Sequence, residues 1–258
     1  GVLPNVARTV AMRSSVMFKA DTPDVDLELH WANVSELITR LNRGEIDMLL
    51  GRLLSLEHME GVSFEHLYPE DIVFAVHHTH PFAARPGEVT LSEVGAELVV
   101  VPLGGTIIRR ELDKFMTARG LARFRRQIET VSFEFTRSFL RETPSVAAIP
   151  LGAIRRELAE GELVKLGLSG EELAGSVGIS FRTGRARVGQ GNVLQVVDNV
   201  DQGVAAERRR RRMLVQARTG RPHLVVQRQR GARGGAGVPS VGIGSSAIRA
   251  EDPFTVVP

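Results

Sequence analysis

The stretch Leu41–Arg52, LNRGEIDMLLGR, decides the fold. Leu41-Asn42-Arg43 reads as the end of a helix. Gly44 stops it, because a residue without Cβ enters the left-handed region that closes a helix. Ile46-Asp47-Met48-Leu49-Leu50 then reads as a buried strand, with Gly51-Arg52 as the turn after it. Helix, glycine, strand and Gly-Arg together make one turn of an α/β sandwich.

Upstream, Pro4 suits a first helical position, and Val6, Val10 and Met17 recur at helical spacing to about Ala20. Asp26–Trp31 alternates as a strand. Asn33 with Glu36 three residues on resembles a capping box, which starts a helix over about Val34–Arg43. Downstream, Val62–Leu67 and Asp71–His77 read as two strands around Tyr68-Pro69, and a short helix follows Ser92. Glu97–Val101 is an apolar strand that runs into the glycine loop Pro102–Thr106. A helix with Ile108, Leu112, Phe115 and Met116 on one face stops at Gly120. Strands at Gln127–Val131, Val146–Ile149, Leu163–Leu166 and Val177–Phe181 alternate with helices at Phe133–Arg141 and Ile154–Ala159. A last helix is expected from about Asn192 to Ala206.

Strands alternating with helices predict parallel sheets covered on both faces. The units fall at 1–74 plus 177–200, a first lobe, and 75–176, a second. Residues 201–258 differ in kind. They hold 11 arginines, five of them unbroken at Arg208–Arg212, against four acids, for a net charge of +7, while residues 1–200 carry −4. The glycine-rich, aperiodic composition predicts a disordered segment, and its bias resembles a GC-rich gene read in a shifted frame. The body offers no basic footprint for nucleic acid. With 43% hydrophobic residues the chain can build a core, and with no cysteine it can hold no disulfide, thiolate metal site or thiol nucleophile. No run reaches the roughly 18 apolar residues of a membrane span. No basic, then apolar, leader opens the chain. The expected location is cytoplasmic.

Several segments, in order, resemble the effector-binding domain of LysR-type transcriptional regulators. They are Gly1–Ala7, the Gly44-Glu45-Ile46-Asp47 signature, Phe64–Tyr68, His80-Pro81, Pro102–Arg110 (PLGGTIIRR), Pro150 and Gly161–Leu163. The likeness covers about residues 1–200. GRL at 51–53, SFEHLY at 63–68 and GTIIRR at 105–110 suggest the branch that regulates protocatechuate catabolism and galactose-binding-protein expression. The resemblance implies two Rossmann-like lobes, of the periplasmic-binding-protein kind, joined by crossing strands with a ligand cleft between them. It implies a small-molecule inducer, homodimers or tetramers, and DNA contact through an N-terminal winged helix-turn-helix that this sequence lacks. A stand-alone solute-binding protein shares the two-lobe logic and is the alternative.

On that reading three helix starts face the cleft: Pro4-Asn5, Asn33-Val34 and Gly104-Gly105-Thr106. A helix start offers unpaired N–H groups and partial positive charge, which favours a carboxylate. Ser132 and Phe133, after the strand at Gln127–Val131, extend the candidate surface, though Phe133 reads as core. Trp31 lies beside the Asn33 loop and packs more readily than it binds. Gly51 and Arg52 read as the hinge, with Arg52 bracing it through an ion pair. Arg109 suits either a ligand carboxylate or a solvated surface.

Enzyme readings find less support. His77 and His78 are adjacent on a strand and point to opposite faces, so no metal is expected. Ser14, Ser15 and Ser138 lack a nucleophile-elbow setting, and Gly184–Gly191 lacks a Walker lysine. No catalytic residue and no cofactor is expected.

Overall fold

The computed structural model of the chain describes residues 1–55 and 58–184. After a 3-10 turn at Pro4–Val6 and a π turn at Ala7–Ala11, helix α1 (Met12–Asp21) completes the first expected helix. Helix α2 (Val34–Arg43) starts at Asn33, whose side chain accepts from the Glu36 amide at 2.9 Å. The Glu36 carboxylate turns to Arg40 at 2.6 Å, so only half of the expected capping box forms. Gly44 closes α2 at φ 76°.

Strand β1 is Leu49–Arg52, three residues later than the expected start. Gly51-Arg52 is therefore strand, where the sequence suggests a turn. Gly51 fits because a Cβ there would lie 2.5 Å from Leu3 Cδ1, so only glycine lets the first turn pack so closely. The strand expected at Asp26–Trp31 does not form. One backbone bond, from Val2 N to His30 O at 3.0 Å, ties that segment down, and alternation without a paired neighbour is no strand.

The two strands expected around Tyr68-Pro69 are one, β2 (Val62–His77). A register shift between His66 and Tyr68 accommodates the irregularity, as befits a proline inside a strand. The remaining elements follow the expected order: α3 (Leu91–Ala96), β3 (Leu98–Pro102), α4 (Ile107–Ala118), β4 (Arg126–Thr130), α5 (Phe133–Glu142), β5 (Val146–Pro150), α6 (Arg155–Ala159), β6 (Leu163–Lys165) and β7 (Ala174–Arg182). The helix expected at 192–206 lies outside the described residues, as does the arginine-rich segment.

The sheet is mixed, in the order β1-β7-β2-β5-β3-β4, with β6 also on β2. Only β5, β3 and β4 run parallel. The long β2 changes partners along its length. Val62–Asp71 pairs antiparallel with β7, and Ile72–Val76 pairs antiparallel with β5. One strand thus belongs to two lobes, and β7 returns beside it. In the second lobe Ile72, Phe74 and Val76 pack toward α4, while Val73 and Ala75 pack toward α5 and α6. In the first lobe Val6, Val10, Leu50 and Ile179 make one core and Leu37, Leu41 and Leu49 another. Helices cover both faces of each lobe. Among the described residues no helix is long and apolar enough to cross a membrane.

Candidate functional site

The parallel strands β3 and β4 end at Pro102 and Thr130, and a helix begins just after each. Thr106 caps α4, accepting from the Arg109 amide at 3.2 Å. Ser132 caps α5, accepting from the Phe135 amide at 3.1 Å. Thr130 ties the two loops together, because its carbonyl accepts from Leu103 N at 3.1 Å and its hydroxyl from Ser132 N at 3.0 Å. The crevice beyond the C-terminal ends of parallel strands is where α/β folds bind ligands. Ala32 and Val34 at the start of α2, and Ile107 at the start of α4, pack on one apolar cluster of the first lobe. The structure therefore brings Asn33-Val34, Thr106 and Ser132 to the same side of the molecule. Asn33 and Ser132 are exposed and Thr106 is half-buried.

Other expected positions serve different ends. The Gly104 amide donates to Glu129 Oε2 at 3.1 Å, so a carboxylate of the chain itself holds that N–H. Gly105 is exposed at φ 80°. Arg109 is committed to Asp113 at 2.7 Å, Glu129 at 3.1 Å and the Pro102 carbonyl at 3.1 Å, so it is neither a free ligand arginine nor solvated. The Arg109 guanidinium, then the Gly104 amide, hold the Glu129 carboxyl below its usual range. Phe133 packs into the core beside Leu140. Trp31 is exposed. His80 is buried and accepts from Phe82 N at 3.1 Å, capping a short turn.

Pro4 is exposed, but Asn5 is only 2% exposed. Its Nδ2 donates to Glu70 Oε2 at 3.0 Å. Glu70 belongs to a network that sequence reasoning did not assemble. Arg52, 1% exposed, forms an ion pair with Glu111 of α4 and donates from Nη2 to the Glu70 carbonyl at 2.8 Å. Burial pushes the carboxyls of both Glu70 and Glu111 up, and Arg52 pulls each back. Two glycines make room. A Cβ on Gly175 would collide with the Arg52 guanidinium, and one on Gly152 with the Glu70 carboxylate. A second bridge lies nearby, where Arg8 meets Glu157 at 2.7 Å and the Ala153 carbonyl at 3.0 Å. Glu70 did not stand out in the sequence, because Asp71 beside it is a second acid just past Tyr68-Pro69 and Glu65 lies on the same strand. Glu111 and Gly175 carried no signal.

Comparison with known proteins agrees with this architecture. The family model described as the LysR substrate binding domain matches residues 1–190. The HTH-type transcriptional regulator PcaQ of Agrobacterium fabrum is 30% identical over 182 residues, covering 70% of this chain and 58% of its own length. The uncharacterized HTH-type transcriptional regulator YdcI of Escherichia coli is 29% identical, covering 70% of this chain and 59% of its own length. GalR of Pseudomonas putida is 27% identical, over 71% of this chain and 46% of its own length. The chain thus spans about 58% of the length of the first curated relatives it matches. Among solved structures, the effector-binding domain of a BenM variant superposes with TM-score 0.66 at 14% identity, covering 80% of this chain and 94% of that one. The BenM domain with its effector benzoate gives TM-score 0.63 at 15% identity, covering 81% of this chain and 91% of that one.

Proposed function

The chain belongs to the LysR substrate-binding-domain family, and from that premise we propose that its cleft senses a small carboxylate, an aromatic one in particular. The family is one of transcriptional regulators rather than enzymes. It also stands against the solute-binding alternative. The observation that carries the carboxylate reading is the convergence of capped helix starts at Asn33, Thr106 and Ser132 beside an apolar wall of Val34 and Ile107. The first amides of a helix have no intrahelical acceptor, and an apolar wall suits a ring. BenM, similar in fold, has benzoate as its effector.

On this reading the two lobes are residues 1–71 with 174–182 and residues 72–173, following the partner change in β2. Those limits move the expected boundaries at 74 and 176 a few residues toward the N-terminus. Ligand bound across the cleft favours the closed arrangement of the lobes. The effector set narrows to Asn33, Val34, Gly105, Thr106 and Ser132, with Gly51 and Arg52 at the hinge. Pro4 and Asn5 support the hinge side. Assembly as a homodimer or tetramer, a cytoplasmic location, and DNA contact through a helix-turn-helix segment outside these residues complete the proposal.

Titration calorimetry with benzoate, hydroxylated benzoates and aliphatic dicarboxylates tests it. Thr106→Val keeps the shape of the side chain and removes its hydroxyl. The hydroxyl donates to the Leu103 carbonyl at 2.7 Å and accepts from the Arg109 amide, so its loss loosens the loop that presents the first amides of α4 and should weaken the best binder by about tenfold. Equal affinity of Thr106→Val and parent for every carboxylate that binds would remove Thr106 from the site.

A further inference from the structure

We propose that Arg52 is a two-position latch, paired with Glu111 while the lobes are held together and with the Glu70 carboxylate when they part. The proposal rests on the two-lobe reading above.

The arrangement of donors and acceptors carries it. Arg52 sits on β1 of the first lobe, and Glu111 on α4 of the second. Their ion pair bridges the two. Yet Arg52 Nε has no hydrogen-bond partner, and Glu70 Oε1 has none from any side chain, only the Gly152 amide lying against its carboxyl, although both atoms are buried. Arg52 Nε stands 3.9 Å from Glu70 Oε2, too far for a hydrogen bond but inside the range of an ion pair. A shift of the guanidinium toward Glu70 would satisfy the donor that the held arrangement leaves unmet. Buried polar groups without partners are costly, so this second position is a real competitor.

The two carboxylates differ in what happens when Arg52 leaves. The Glu111 side chain is 22% exposed and can turn to water. The Glu70 side chain is 3% exposed, and Asn5 already fixes one of its oxygens. Gly175 and Gly152 leave space around both ends of the path, where a Cβ at either would intrude. The exchange therefore runs within a pocket shaped for it.

Helix α4 links the latch to the cleft. Ile107 in its first turn packs on the first lobe, and Glu111 lies four residues on, on the same helix face. A ligand at the start of α4 and a guanidinium one turn later thus act on one rigid element. Binding that moves α4 relative to the first lobe favours one position of Arg52 over the other.

The chain has no cysteine, so labels at Thr39→Cys on α2 and Ser138→Cys on α5, both exposed, report the distance between lobes by pulsed electron spin resonance. The full chain without ligand is compared with its Glu111→Gln and Glu70→Gln variants. Glu111→Gln should shift or broaden the distance distribution by more than about 2 Å. Glu70→Gln, which removes the competing carboxylate, should leave the parent distribution in place or narrow it. If Glu111→Gln does not fold, Glu111→Asp, which keeps the charge and shortens the reach, should give the same shift. Distributions that superimpose on the parent for the folded Glu111 variant, or the same broadening in both variants, would overturn the latch. Because no ligand is used, that failure leaves the carboxylate reading to its own calorimetric test.

Discussion

Arg52 shows how a charged side chain is kept inside a protein of this size. A guanidinium taken out of water must meet charge and hydrogen-bond partners from its surroundings, or it costs several kcal/mol. Here the partners come from β2 and α4, and the room comes from Gly175. Gly175→Ala puts a methyl group against the guanidinium and the Glu111 carboxylate. It should lower stability by about 1–3 kcal/mol, the usual cost of overpacking, read as a lower urea midpoint with an unchanged slope. Glu70 adds a pH signature. Burial raises its carboxyl above the ordinary 4.5. The folded chain then holds a proton that the unfolded chain releases, so this group's contribution to stability falls as pH rises from near 4.5 through the raised value. Glu70→Gln removes that dependence. Relative to the parent, the variant should gain stability as pH rises above about 4.5. Parallel urea profiles above that pH would show that Glu70 does not titrate there. A brace at Arg52 was legible in the sequence, since an arginine beside a glycine at a strand end invites one. Its partners were not, because Glu70 and Glu111 reach it only through long-range pairing.

At the scale of elements, local rules carried furthest where one residue acts on its neighbours. Gly44 ends α2, Thr106 and Ser132 begin α4 and α5, and apolar periodicity marks the buried face of α4. They failed where a strand depends on what lies beside it. Asp26–Trp31 alternates well yet stays unpaired, while Pro69, a formal breaker, lies inside β2 because a bulge absorbs it. The cap at Asn33 poses a question at this scale, whether it serves the helix alone or also a ligand. Asn33→Ser keeps an acceptor for the Glu36 amide, and serine ranks with asparagine as a cap. Stability should stay within about 0.5 kcal/mol of the parent by urea unfolding. Carboxylate affinity should fall, because the amide donor is gone. Unchanged affinity with unchanged stability would leave Asn33 as a cap and nothing more.

At the scale of the whole molecule the sequence divides by charge. Residues 1–200 carry a net −4 and residues 201–258 a net +7. A regulator's effector domain has no need of a nucleic-acid surface, and the body shows none in its composition. Arg208–Arg212 is a different matter, because five adjacent guanidiniums attract phosphate whatever their setting. Such contacts release counterions, so affinity falls steeply with salt, by nearly one logarithmic unit per tenfold salt for each phosphate neutralised. They carry no sequence information, since base edges are read by placed side chains of varied chemistry and this run is arginine alone. The full chain should therefore bind unrelated DNA duplexes equally well at low salt and lose them near physiological ionic strength, by fluorescence anisotropy. Residues 1–200 alone should not bind at either. Salt-resistant, sequence-selective binding by residues 1–200 would place a DNA-reading surface inside the two-lobe body, and the division between sensing and DNA contact would have to be redrawn.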